Sequence, residues 1–438
     1  MPVPAQTVLL SEWLVTMAPG VGTLRQGAVL VTGSRIDYAG PREGLPQLPP
    51  DVPVVDLPRH IVLPGLINAH THLPMALLRG LADDLPLKAW LEEHIFPAEA
   101  RFMTPETVAA ASRLAAAELL LGGTTACADG YFLEAVVLEA AAGLGLRGVF
   151  AHGVLDFPAP GIREPEHAFA AIRRFLATQR GTAPQLPAVF AHSPYTCSAA
   201  TLRRAKALAR EFGRRLFIHV AETAWEVQWC REHADGATPV AYLDRLELLD
   251  PETVLVHAVH VGDADADLIA RRGCAVVINT ESNMKLASGI APVRAYLERR
   301  VPLALGTDGA ASNNDLDLFG EMAATARLQK LAAGDPAVVS AHDVLTMATV
   351  GGATALGLAS SVGRLAPGYE ADLIAVRTDV PRATPLYDPV SHLVYAASAA
   401  DVDLVLVAGR TVVRAGVLQT GDPRELCATV RHLAAAIR

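Results

Sequence analysis

No two of the five cysteines (Cys127, Cys197, Cys230, Cys274 and Cys427) form a CxxC pair, and their odd number leaves no complete disulfide set. That excludes a cysteine-based zinc site and fits reduced thiols in the cytoplasm. Charge is sparse too. Asp, Glu, Lys and Arg make up 19% of the 438 residues, and the net charge of −9 is spread along the chain rather than gathered in blocks. No basic patch exists to hold nucleic acid, and nothing favours an anionic membrane surface. No apolar run reaches membrane-spanning length without charges or turn residues. No N-terminal segment joins a basic start, an apolar core and a small-residue cleavage site. The expectation is a cytoplasmic protein that engages neither nucleic acid nor membrane.

What the chain has is apolar residues, 51% of the total. With this length they imply extensive burial and two structural units. Near the N-terminus, 7–17 and 27–38 read as antiparallel strands. Near the C-terminus, 371–376 and 402–413 repeat the pattern, with a tight turn at Ala408-Gly409-Arg410. Between them, apolar strands alternate with amphipathic helices such as 106–121, 199–212 and 263–272. Eight strands are expected, over 61–72, 124–129, 148–156, 188–193, 215–222, 253–260, 275–283 and 302–308. Near-continuous apolar strands are buried on both faces, which predicts an α/β fold, a parallel (β/α)8 TIM barrel.

The polar residues collect at the strand ends: His70, His72, His152, His192, His219, Glu222, His257 and Asp308. Barrel enzymes place their chemistry there. His70 and His72, spaced i, i+2 on a strand, point to one face and make half a metal site. His219 closes the fifth strand. Asp308 closes the eighth, within Leu305-Gly306-Thr307-Asp308-Gly309. Three neutral imidazoles and a carboxylate suit one divalent ion, Zn²⁺ first, with Fe²⁺ or Mn²⁺ as alternatives, and leave a position for water. Each residue alone has a plainer explanation: a core histidine, a turn aspartate before glycine, a glutamate capping a helix. The strand ends taken together outweigh it.

The segments Pro64-Gly65-Leu66-Ile67-Asn68-Ala69-His70-Thr71-His72, His219-Val220-Ala221-Glu222-Thr223 and Gly306-Thr307-Asp308-Gly309-Ala310-Ala311-Ser312-Asn313-Asn314 resemble the amidohydrolase superfamily. More narrowly they are similar to its methylthioadenosine/S-adenosylhomocysteine deaminase and chlorotriazine-type hydrolase branch. The resemblance runs through almost the whole chain and implies a small β-sandwich domain formed from both termini. The expected units are 1–60 for the N-terminal part of the sandwich, 61–368 for the barrel, and 369–438 for the rest of the sandwich and a closing helix. Some amidohydrolases bridge two metals with a carboxylated lysine ending strand four. Here that strand ends Phe190-Ala191-His192-Ser193-Pro194, so one metal is expected.

The resemblance implies hydrolytic loss of an amino group from an adenosine-type nucleoside, giving the inosine analogue and ammonia. Asp308 would take a proton from the attacking water. Glu222 would protonate a ring nitrogen, and His257 would hydrogen-bond the water or the forming oxyanion. Trp90 would pack on the base and Glu99 would accept from the ribose hydroxyls, both within a long first βα segment over 73–104 that reads as a lid or specificity element. His192 and Ser312 would reach the base or its sugar. Where relatives carry an arginine for the carboxylate of S-adenosylhomocysteine, this chain has His152, with Arg163 further along the same loop. A neutral histidine is a poor carboxylate clamp. The expected substrates are therefore uncharged 5′-substituted adenosines such as 5′-methylthioadenosine, with 5′-deoxyadenosine, adenosine and S-adenosylhomocysteine behind them. A homo-oligomer, dimer or tetramer, is also implied. Two rivals stand beside this reading: hydrolysis of another amino- or chloro-substituted heterocycle (triazine, guanine or cytosine), and a non-catalytic barrel serving as a binding module.

Overall fold

The computed structural model describes residues 6–162, 164–179 and 184–437. Four strands come first: β1 (Gln6–Val15), β2 (Thr23–Thr32), β3 (Arg35–Pro41) and β4 (Val54–Pro64). Eight more follow: β5 (Leu66–Thr71), β6 (Thr124–Tyr131), β7 (Arg147–Val154), β8 (Gln185–Ala191), β9 (Leu216–Val220), β10 (Thr253–His257), β11 (Ala275–Ile278) and β12 (Leu303–Leu305). Last are β13 (Leu373–Arg377), β14 (Val402–Val407), β15 (Arg410–Arg414) and β16 (Val417–Leu418). Among the described residues no helix is long and apolar enough to cross a membrane.

The first four and last four strands form one hydrogen-bonded series, β16-β15-β14-β13-β4-β1-β2-β3. Alternation along each strand gives them a shared apolar face, and Leu9, Val29, Ile36, Val62, Leu373 and Leu404 meet in one core. This is the small β-sandwich domain contributed by both termini. Its two parts join where β4 runs antiparallel to β13, with Leu63 opposite Ile374. The expected turn between β14 and β15 has Ala408 and Gly409 at φ 49° and 73°, as a tight hairpin requires.

Two expected strands are each divided. Ile61 and Val62 belong to β4 and pair with Trp13 and Leu14 of β1, so only Leu66–Thr71 enters the barrel. The division falls at Gly65, where a Cβ would lie 2.0 Å from Thr125 Oγ1. A boundary between residues 60 and 61 therefore cuts through β4. The seventh strand stops at Ile278, and Thr280–Lys285 is helical.

Strands β5 to β12 are neighbours in chain order in a parallel barrel. Inward positions carry small residues such as Ala69, Ala126, Ala151 and Ala188, with Phe190 and Phe217. Outward positions, including Leu66, Phe150, Ile218 and Leu255, join the larger core beneath the helices. The seam between the first and last barrel strands is closed by side-chain and backbone hydrogen bonds together. Asn68 Nδ2 donates to Thr307 Oγ1 at 2.8 Å and Asn68 Oδ1 accepts from Thr307 N at 3.1 Å. The Asp308 amide donates to the His70 carbonyl at 3.1 Å. Gly306 permits this approach, since a Cβ there would lie 2.8 Å from the His70 backbone.

Barrel and sandwich are tied by Arg147 of β7, whose Nε and Nη2 donate to Asp372 at 2.6 and 2.9 Å. Both side chains are 2% exposed. Removing one partner of a buried pair strands the other charge, which costs about 3–5 kcal/mol. Arg147→Ala is therefore expected to lower the unfolding temperature markedly, and an unchanged melting curve would contradict this role.

Candidate active site

His70 lies in β5 and His72 is the residue after it, beside an irregularity in the pairing of that strand. Asn68 pairs with Cys127 and Thr71 with Asp129, so three steps along β5 match two along β6. The extra residue is a β-bulge, a device that re-aims side chains beside active sites. His70 Nε2 and His72 Nε2 both face Asp308 Oδ1, at 3.3 and 3.2 Å. His72 Nδ1 donates to the Gly130 carbonyl at 2.5 Å, which fixes its tautomer and leaves Nε2 free as a donor atom.

His219, near the end of β9, brings Nε2 to 3.2 Å from His70 Nε2. Asp308 follows β12 in the left-handed region, φ 62°. Its Oδ2 accepts from Ser282 Oγ at 2.8 Å and Ser312 Oγ at 2.6 Å, so Oδ1 is the oxygen presented to the histidines. Ligand atoms of His70, His72, His219 and Asp308 all lie within 4.8 Å of one another, and all four residues are buried. Burial pushes the His70 imidazole down to about 3 and His219 well below its usual range. Burial alone would raise the Asp308 carboxyl, but His70 and His72 hold it well below the usual carboxylate range. Burial alone would lower the His72 imidazole, but Asp308 and Asp129 raise it. Three imidazoles and an ionised carboxylate converging on one point are a donor set made for a divalent cation. The residues fit the metal.

Glu222 lies two residues past β9, buried, with its carboxyl raised mainly by that burial. Its Oε1 accepts from Ser288 Oγ at 3.2 Å, and its Oε2 is 3.8 Å from His257 Nε2. His257 ends β10 at φ 69°, a strained conformation of the kind found at functional sites. Its Nδ1 lies 2.9 Å from Asn283 Oδ1 and 3.2 Å from Asn279 Nδ2. The nitrogen turned toward Glu222 is thus Nε2.

A cavity joins these groups, lined by His72, His219, Glu222, His257, Asp308 and Ser312 on the metal side. Trp90, Phe96, Glu99, Tyr131, Phe190 and His192 line it as well. The segment after β5 supplies three of them, Trp90, Phe96 and Glu99. It is largely helical, and it buries Trp90 and Glu99 while Glu92 and Glu93 stay exposed. Tyr131 Oη donates to Glu99 Oε1 at 2.5 Å, and burial pushes the Glu99 carboxyl up to about 7. His192 Nδ1 lies 3.0 Å from Thr196 Oγ1, and burial lowers its imidazole to about 3.

His152, an expected contact, does not line the cavity. It faces outward from β7, its ring centroid 5.9 Å from that of Phe175. The cavity-lining residue of that strand is Gly153. The alternation that turns Val149 and Ala151 inward turns His152 to the helices. Arg163 lies outside the described residues. Ser312 lines the cavity, but its hydroxyl is spent on Asp308, making it a support for that carboxylate.

Several groups were not singled out from the sequence: Ser282, Asn283, Ser288, Tyr131 and Phe190. Ser282 and Asn283 adjoin the seventh strand, and the signal for them was the polar run Asn279-Thr280-Glu281-Ser282-Asn283 at a strand end.

Residues 61–412 match the amidohydrolase family. The chain belongs to that family. A relative from Syntrophobacter fumaroxidans named 5-methylthioadenosine/S-adenosylhomocysteine deaminase is 43% identical over 99% of both chains. A Methanothermobacter thermautotrophicus relative named 5′-deoxyadenosine deaminase is 43% identical over 91% of this amidohydrolase and 92% of its own length. Among solved structures, an adenosine deaminase from Xanthomonas campestris with bound zinc superposes with a TM-score of 0.96, at 36% identity over all of both chains. This amidohydrolase shares with it the barrel and the sheet built from both termini.

Proposed function

We propose that this amidohydrolase is a metal-dependent deaminase of adenosine-type nucleosides, with uncharged 5′-substituents such as methylthio preferred over the homocysteinyl group. The observation that carries the reading is one cavity shared by the four-donor cluster, the buried Glu222–His257 pair and the Trp90–Glu99 wall. The names of its relatives support it. Zn²⁺ is the proposed ion, held by His70, His72, His219 and Asp308. Bound there, it lowers the pKa of water toward neutrality.

The chain's own residues do the rest. Asp308 accepts a proton from the attacking water, while His257 Nε2 holds that water by a hydrogen bond. Glu222, whose carboxyl burial raises, delivers a proton to the ring nitrogen beside the amino-bearing carbon. A carbon–oxygen bond forms and the ring gains a tetrahedral centre. Return of the water's proton from Asp308 to the amino group lets the carbon–nitrogen bond break. Ammonia leaves, the hydroxyl proton passes to the Glu222 carboxylate and restores the acid, and the ring carries a carbonyl. His192 faces the base from the end of β8, and Trp90 packs against it. With Gly153 rather than His152 at the cavity, no charged group from β7 meets a 5′-carboxylate.

Glu99 decides between a nucleoside and a free heterocycle. A carboxylate accepting from two vicinal hydroxyls contributes on the order of 1.5–3 kcal/mol, or roughly tenfold to a hundredfold in kcat/KM. Glu99→Gln is expected to lose that much on ribonucleosides and almost nothing on free adenine, triazine or guanine. Because burial places the Glu99 carboxyl near 7, its ionised form grows as pH rises through that value. KM for a ribonucleoside should fall over the same range, and Glu99→Gln should abolish the trend. Equal losses on nucleoside and free base would count against the nucleoside reading.

A further inference from the structure

We propose that Glu226 is a positioning residue for the proton transfer by Glu222, acting through the backbone of the loop that follows β9; the inference rests on the proton-carrying role given to Glu222 above. Glu226 sits in the first turn of the helix Ala224–His233, whose N-cap Thr223 accepts from the Glu226 amide at 3.2 Å. In a capping box a glutamate at that position would reach back to the N-cap amide. This one reaches further. Its Oε1 accepts from the Ala221 amide at 2.8 Å and its Oε2 from the Glu222 amide at 2.9 Å. Glu226 is 1% exposed, and among the described residues no cation is paired with it.

The loop it holds is strained and shared. Ala221 is in the left-handed region at φ 51°, a conformation that persists only where the surroundings enforce it. The same loop binds the chain after β10. The Val220 carbonyl accepts from Ala258 N at 3.0 Å, and the Ala221 carbonyl accepts from Val259 N at 3.0 Å and His260 N at 2.8 Å. One buried carboxylate therefore sets the backbone that carries Glu222 and braces the segment following His257. A helix cap needs neither of the two amides Glu226 binds; holding Glu222 in register needs both.

The test is the pair of variants E226Q and E226D, measured with E222Q and the double variant E222Q/E226Q on metal-replete protein. In E226Q one oxygen becomes an NH2 group that confronts an amide N–H; E226D keeps the carboxyl group but loses reach. Misplacing a catalytic group by a fraction of an ångström to an ångström costs up to about a hundredfold. E226Q should lose about 10–100-fold in kcat, with KM within about twofold and wild-type metal content by elemental analysis. E226D should lose part of that. Because Glu226 acts through Glu222, E222Q/E226Q should match E222Q within about threefold.

Multiplicative losses in the double variant would overturn the proposal. So would a kcat for E226Q within about twofold of wild type, a loss explained by missing metal, or the failure of both Glu226 variants to fold. Wild-type protein inactive on every adenosine nucleoside would instead overturn the functional reading. A wild-type enzyme that is active but indifferent to E226Q overturns only the positioning role.

Discussion

Glu222→Gln is expected to lower kcat by about 10²–10⁴-fold while KM and metal content stay near wild type. The side chain lies outside the four-donor cluster, so its replacement does not touch the metal ligands. It is buried against His257 Nε2 and held by Ser288. An amide of the same shape keeps the packing and one hydrogen bond to Ser288. What it cannot do is release a proton to a ring nitrogen. The full effect therefore falls on the transition state, and binding energy shared by ground and transition states is preserved. Steady-state kinetics and elemental analysis on one preparation read both quantities. A fully metallated variant with wild-type kcat would remove Glu222 from the chemistry.

Asp308→Ala should remove metal and activity together. Asp308 supplies the one negative charge of the cluster, and its Oδ1 lies 3.3 and 3.2 Å from the nitrogens of His70 and His72. Without it three neutral imidazoles remain, and Ser282 and Ser312 lose their shared acceptor. Loss of a group that merely supports a ligand costs about 10–100-fold in metal affinity, so loss of the charged ligand itself should exceed that. Purified variant is expected to hold far less metal than wild type and to show no turnover even with added Zn²⁺. Retention of wild-type metal content would place the ion elsewhere.

The barrel was legible because its strands are almost wholly apolar while their C-terminal ends carry the polar groups, a contrast that needs no tertiary information. His70, His72, His219 and Asp308 could be gathered from strand ends alone, and the structure brings them together. The bulge in β5 was not legible, because register depends on the partner strand and leaves no mark in the local pattern. His152 shows the same limit from the other side. It sits at the end of β7, yet a strand end has two faces, and the ring went to Phe175. Ser282 and Asn283 were hidden for a different reason. They lie on a helical turn after β11, and reading that stretch as strand concealed which side chains it returns to the site. Glu226 was similarly masked by its resemblance to an ordinary helix cap.

Metal-dependent deamination of an adenosine-type nucleoside is read by ammonia release with the accompanying adenine-to-hypoxanthine absorbance change. The assay compares adenosine, 5′-deoxyadenosine, 5′-methylthioadenosine and S-adenosylhomocysteine, using protein loaded with Zn²⁺ and the same protein stripped by a chelator. Turnover should rise and fall with metal content and be greatest on the uncharged 5′-substituted nucleosides. No ammonia from any of the four at full metal loading, or equal turnover after stripping, would contradict metal-dependent deamination.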